Sequence, residues 1–244
     1  MNGSVPKVVV VVPTYNERDN LPVLAGQLAE LEVVDLHLLV VDDNSPDGTG
    51  TIADELAGGS ADGRVRVLHR TVKDGLGRAY IDGMSRAIEA GADIVIQMDA
   101  DLSHPTSVIP KMVNLLENSE VDVVIGSRYV EGGSTASVWP WHRKALSVGA
   151  NLYVNAVLHL HVKDATAGFK AWRTETLRAI NLSSIRSTGY SFQVEMNYRA
   201  TKRGVRIVEV PIHFEERSTG TSKMSFWTQL ESVAMPWRLL SRMS

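Results

Sequence analysis

Cysteine is absent from the 244 residues, which excludes disulfides and thiolate metal sites and suits a reducing compartment. Charge of one sign is equally lacking. With 25 Lys and Arg against 28 Asp and Glu, the formal net charge is -3, so a general polyanion binder with a basic face is not expected and no nucleic-acid partner is assigned. No apolar run approaches the roughly 18 residues that a bilayer-spanning helix needs. The first residues, Met1-Asn2-Gly3-Ser4-Val5-Pro6-Lys7, lead straight into a strand without the basic region, apolar core and cleavage site of a secretory signal. A cytosolic location, with any membrane contact peripheral, is therefore expected. There is no internal repeat, no low-complexity tract and no linker dividing the chain into independent domains. The glycines of Gly75-Leu76-Gly77-Arg78 lack the Lys-Ser/Thr ending of a P-loop, and they read as a turn leading into a helix.

What is present is an ordinary core composition, 44% hydrophobic and 22% charged, enough for one substantial core. Short β-branched runs alternate with helical patterns. Strands are expected at 8–12, 36–41, 65–69, 94–98, 121–125, 168–172 and 205–211. Helices are expected at 20–31, 49–56, 75–90, 105–116, 143–158 and 190–201. That alternation predicts an α/β fold, a single Rossmann-like domain with a mainly parallel central sheet. The stretch 129–142, with Gly132-Gly133-Ser134-Thr135 and Trp139-Pro140-Trp141, is a long loop that suits either a lid or simple disorder. Phe226, Leu230, Val233, Trp237 and Leu240 recur at helical spacing, with Pro236 placed to kink the helix. The division expected is a catalytic domain over 1–225 and an amphipathic helix over 226–244, packed on the domain or resting at a membrane surface.

Chemistry concentrates where apolar runs end. Ile94-Val95-Ile96-Gln97-Met98 is followed by Asp99-Ala100-Asp101, a carboxylate pair able to hold a divalent cation through hard oxygen ligands and leave positions for a diphosphate. Two acids at a strand end are also common turn and cap residues. Two further polar strand ends, Pro13-Thr14-Tyr15-Asn16-Glu17 and Asp42-Asp43-Asn44-Ser45, favour the functional reading. Parallel sheets bind ligands at the carboxyl edge of their strands, so the three ends imply one crevice.

These segments, with Asp47-Gly48-Thr49, Leu102-Ser103-His104-Pro105, Gly126-Ser127-Arg128-Tyr129 and Arg217-Ser218-Thr219-Gly220-Thr221-Ser222-Lys223, occur in family order. Together they resemble the catalytic domain of dolichyl-phosphate or polyprenyl-phosphate mannose synthases, inverting family 2 glycosyltransferases of the GT-A fold. The resemblance implies transfer of mannose from GDP-mannose to a polyprenyl phosphate, with Mg2+ or Mn2+ as cofactor. It assigns donor-nucleotide contacts to Pro13, Tyr15, Glu17, Val41, Asp43, Asp99, Ala100, Asp101, Arg217 and Lys223. Asp99 and Asp101 are the implied metal ligands, Asp101 the stronger of the two, and Arg128, Arg143 and Ser147 the implied acceptor-phosphate cradle. Asp101 and Arg128 carry the catalytic roles. Related synthases can carry Gln two residues after the second Asp, where Ser103 stands here, a weaker ligand. Arg217 and Lys223 flank a segment read as a gating loop over the donor diphosphate.

The resemblance also implies contact with the cytosolic face of a membrane, directly or through a separate integral membrane subunit. A UDP-sugar enzyme acting on the same lipid is poorly separated from a GDP-mannose enzyme by sequence, because base selectivity depends on backbone and pocket shape. A nucleotidyltransferase is disfavoured by the lack of its glycine-rich, lysine-containing N-terminal signature. A non-catalytic nucleotide-sugar-binding subunit is disfavoured by the intact acidic and basic residues. His159-Leu160-His161 is discounted as a zinc pair, since residues two apart on a helix face different ways.

Overall fold

Side chains two apart on a strand share a face, and this period sorts the valines of β1 (Val8–Thr14) into two cores. Val9 and Val11 pack with one buried cluster, whereas Val8, Val10 and Val12 pack with the other. The computed structural model describes residues 5–60, 62–136, 139–187, 189–215 and 234–241. In chain order β1 is followed by α1 (Asn20–Ala29), β2 (Leu36–Asp42), α2 (Thr49–Gly59), β3 (Val65–His69), α3 (Leu76–Glu89) and β4 (Ile94–Gln97). Next come α4 (Ile109–Asn118), β5 (Val123–Ser127), α5 (Trp141–Leu158), β6 (Lys170–Arg173), α6 (Thr174–Ile180), α7 (Gly189–Lys202) and β7 (Ile207–Pro211).

The seven strands form one sheet in the order β3-β2-β1-β4-β6-β5-β7. All neighbours are parallel except at β6, which runs antiparallel to both β4 and β5. The mainly parallel α/β architecture expected from the alternation is thus what the chain adopts. The chain grows outward from β1 through β2 to β3, then returns to place β4 on the other side of β1. Such a reversal opens a crevice at the carboxyl ends of the strands beside it. The register aligns Thr14 with Asp42 and Val11 with Gln97. The three polar strand ends consequently share one edge.

Helix α3 is drawn unusually close to the sheet. A Cβ on Gly83 would stand 2.5 Å from Val11 Cγ1 and 2.7 Å from Val41 Cγ2, so only glycine permits this approach. The contact brings the first turn of α3 over the crevice.

Several expectations shift. β6 begins at Lys170 rather than Gly168, and α6, only seven residues long, follows it with no intervening loop and had no periodic signal of its own. α5 starts at Trp141, two residues earlier than expected. The described part of the 129–142 stretch is packed. Ser134 bridges to His213, and Trp139 is buried with its ring edge-on to Phe214 at 5.8 Å. At the C-terminal end, 234–241 is helical, with Met235 and Leu239 buried in the core on the α3 side of the sheet. Trp237 points outward, 60% exposed, and its indole N–H donates to the Tyr153 hydroxyl at 3.0 Å. The packing stripe therefore runs through Met235 and Leu239 rather than Trp237. Phe226, Leu230 and Val233 lie outside the described residues.

Candidate active site

The crevice is a cleft of ≈ 220 Å3 lined by Pro13, Thr14, Tyr15, Glu17, Asp43, Lys73, Leu76, Ala79, Asp99, Ala100 and Asp101. Seven of the ten expected donor contacts, namely Pro13, Tyr15, Glu17, Asp43, Asp99, Ala100 and Asp101, come together here. Val41 does not join them. It is fully buried in the core, where its side chain meets α3 at Gly83. Val41 is still inside β2, where α3 covers it at Gly83, whereas Asp43 lies past the strand end, at the cleft. Arg217 and Lys223 lie outside the described residues.

The lining is acidic, with Glu17, Asp43, Asp99 and Asp101 against Lys73. Two of these acids are engaged locally. Glu17 accepts a hydrogen bond from the Asn20 amide at 2.7 Å, and Asp43 pairs with Arg70, which also holds Asp74 and Asp82. Burial pushes the Asp43 carboxyl above its ordinary value despite that guanidinium. Lys73 rests over the Tyr15 ring, 3.1 Å from its centroid, a cation–π contact at the cleft wall.

Asp99 and Asp101 are oriented by their neighbours. The Tyr80 hydroxyl donates to Asp99 Oδ1 at 2.7 Å, and the Asp99 backbone N–H donates to His104 Nδ1 at 3.3 Å. Asp101 Oδ1 accepts the backbone N–H of Ser103 at 3.1 Å and the Ser103 hydroxyl. Ser103 thus spends its side chain on orienting Asp101. Among the described residues no cluster of three or more acidic or imidazole side chains completes a protein-only cation cage. Two hard carboxylates on an acidic, open cleft fit Mg2+ or Mn2+, which keep water and phosphate oxygens among their ligands. A nucleoside diphosphate also needs a cation to enter a lining of this sign.

His104 is stacked 5.3 Å from Phe169 and edge-on to Phe214 at 5.6 Å. Burial lowers its pKa, so the ring is neutral near pH 7 and serves as packing and as an acceptor.

Arg128 does not line the cleft. Its Nε and Nη2 donate to the Asp164 carboxylate at 2.8 and 2.7 Å, Nη2 also reaches Thr166 at 3.0 Å, and its backbone N–H donates to Asp164. Asp164 is fully buried. The guanidinium lies 5.5 Å from the Phe214 ring and 5.3 Å from that of Tyr129. The Tyr129 hydroxyl donates to Ser147 at 2.6 Å, and Arg143 sits 4.0 Å over Trp139. Phe214 therefore contacts both His104, beside the acidic pair, and the Arg128 group. On α5, Arg143 and Ser147 share the inward face with the buried Asn151, Val154 and Leu158.

Beneath the acidic pair lies a buried polar bridge. Lys170, opposite Gln97 in the sheet, donates to the Gln193 side chain at 3.1 Å and to its carbonyl at 3.2 Å, while Gln97 donates to Gln193 at 2.6 Å. Burial lowers the Lys170 pKa to about 7. An unfolded lysine keeps its proton to about pH 10.4, so between those values unfolding takes up a proton and native stability rises with pH. Urea unfolding at pH 6.5 and 9.5 should show wild type gaining on Lys170→Met by on the order of 3 kcal/mol at the higher pH. A difference independent of pH would mean that Lys170 titrates normally.

The residues missed from sequence are Lys73, Tyr80, Arg70 and Asp164. Tyr80 reads as core on an amphipathic helix, and Asp164 pairs with a partner 36 positions away. Neither offers a local signal.

Residues 9–180 of the chain match the glycosyl transferase family 2. A polyprenol monophosphomannose synthase of Mycolicibacterium smegmatis is 46% identical over 219 residues, 90% of this chain and 81% of that protein. An undecaprenyl-phosphate mannosyltransferase of Micrococcus luteus is 48% identical over 238 residues, 97% of this chain and 96% of that protein. Among solved structures, glucosyl-3-phosphoglycerate synthase of Mycobacterium tuberculosis, in complex with Mn2+, UDP and product, superposes with a TM-score of 0.69 at 19% identity. It covers 98% of this chain and 78% of that one, and shows the shared GT-A fold.

Proposed function

Because the chain belongs to glycosyl transferase family 2, we propose that this glycosyltransferase moves mannose from GDP-mannose to a polyprenyl phosphate, giving polyprenyl-phosphate β-mannose and GDP. The observation that carries the reading is the convergence of Tyr15, Glu17, Asp43, Asp99 and Asp101 on one cleft, in a chain with relatives named as a polyprenol monophosphomannose synthase and an undecaprenyl-phosphate mannosyltransferase. Tyr15 and Asp43 frame the nucleoside, and Asp99 and Asp101 face the diphosphate. Asp99 and Asp101 would hold Mg2+ or Mn2+, which would supply charge neutralisation for the departing nucleotide.

Arg128, Arg143 and Ser147 hold the acceptor phosphate. Guanidinium groups suit phosphate oxygens, and Asp164, which takes Arg128 Nε and Nη2, holds that guanidinium in one orientation. A phosphate monoester has a second pKa near 6, so it is largely ionised at neutral pH and needs no strong general base. His104, packed against Phe169 and Phe214 with its Nδ1 accepting from the Asp99 backbone N–H, is not called on as one. Catalysis is then positioning of the phosphate oxygen for in-line attack on the sugar C1, with inversion.

The outward face of α5 supports membrane contact. It carries Trp141, Val148 and Leu152, 80%, 41% and 67% exposed, at positions that share one stripe opposite Arg143 and Ser147. A helix with apolar residues outward and phosphate-binding groups inward suits an enzyme that takes its acceptor from a lipid surface. Among the described residues no helix is long and apolar enough to cross a membrane.

The phosphate requirement is tested by offering polyprenyl phosphate and the free polyprenol of equal length with labelled GDP-mannose. Transfer to the phosphate alone is expected. Comparable transfer to the alcohol would show that the enzyme supplies a general base and would contradict the mechanism.

A further inference from the structure

Tyr80 has no solvent exposure, yet its hydroxyl reaches Asp99 Oδ1 at 2.7 Å. Its ring is held flat against Phe192 of α7, with centroids 5.9 Å apart and planes parallel. Asp99 is confined elsewhere too. Its Oδ2 lies 3.2 Å from the position a Cβ would take on Gly168, and its backbone N–H is committed to His104. The terminal torsion of an aspartate is broad and two-fold when nothing restrains it. Here a hydroxyl hydrogen bond to one carboxylate oxygen selects one plane.

Resting on the donor-site reading above, we propose that Tyr80 is a positioning residue for the cation site. Its O–H fixes the plane of the Asp99 carboxylate before donor and cation arrive, as the Ser103 hydroxyl does for Asp101. The acidic pair is thus preset from both sides, by α3 and by the turn after β4. Outer partners of this kind typically change metal affinity or activity 10- to 100-fold when removed.

The variant Tyr80→Phe keeps the ring and its stack and deletes only the hydroxyl. Free Mn2+ is followed by electron paramagnetic resonance during titration in the presence of GDP, with Tm recorded for each protein. The Kd for Mn2+ should rise about tenfold or more. In an Asp99→Asn background the same substitution should add nothing, because Tyr80 acts through that carboxylate. Phe192→Leu, which leaves the hydroxyl and loosens the ring, should raise Kd several-fold in the same direction. A Kd within about twofold of wild type for Tyr80→Phe, or an equal effect with and without Asp99, would overturn the inference. Failure of wild type to bind Mn2+ with GDP would instead overturn the donor-site reading, and this inference with it.

Discussion

Asp101→Ala is expected to lower mannosyl transfer by roughly 10^3-fold or more, because it removes a carboxylate from the place where charge develops on the leaving diphosphate. The loss should appear in kcat and should not be restored by raising Mg2+ or Mn2+. The fold should survive. Asp101 sits at the cleft edge, and its removal leaves the Ser103 N–H and O–H without this acceptor, a cost of about 1–3 kcal/mol. For a chain of this size that corresponds to a Tm decrease of several degrees. Activity therefore falls much further than stability, and thermal unfolding alongside initial rates separates the two. A variant retaining wild-type metal dependence and more than about a tenth of the rate would remove Asp101 from the cation site.

Arg128→Ala should be damaging in two separable ways. The fully buried Asp164 would lose its guanidinium partner, and an uncompensated buried charge costs about 3–5 kcal/mol. A Tm decrease of about 6–20 °C follows. The double variant Arg128→Met, Asp164→Leu replaces the pair by apolar groups of similar volume and should recover most of that stability. It should not recover transfer, because the guanidinium proposed to hold the acceptor phosphate is gone. Recovery of both stability and transfer would make the pair a structural ion pair and remove Arg128 from the acceptor cradle.

Legibility in the sequence followed the range of the interaction. The apolar runs of β1 and β2, buried on both faces, announce a covered parallel sheet within a handful of residues. The polar residues that end those runs were readable as a site because a parallel sheet must place its strand ends together. Val41 marks the limit of that argument. It belongs to the same sequence motif as Asp43, yet it lies inside β2 under the close approach of α3 at Gly83, while Asp43 falls past the strand end.

Longer-range pairing left no local trace. The clasp between Arg128 and Asp164, the reach of Tyr80 to Asp99, and the joining of Trp139 to Phe214 all depend on how α3, α5 and β7 are brought to the sheet. The same holds for the stretch 129–142, whose glycine and serine content resembles that of a free loop. Its described residues are held by the Ser134 bridge to His213 and by burial of Trp139. Polar composition signals a loop, but packing against aromatic side chains elsewhere decides whether it is ordered.

The most direct test is sugar transfer by the purified protein into an organic-extractable product, using polyprenyl phosphate in detergent with Mg2+ or Mn2+ and either labelled GDP-mannose or labelled UDP-glucose. Incorporation from GDP-mannose that is abolished by chelation, with none from UDP-glucose, is the result expected of a metal-dependent polyprenyl-phosphate mannosyltransferase. Incorporation from UDP-glucose alone, or equal incorporation with and without metal, would contradict it.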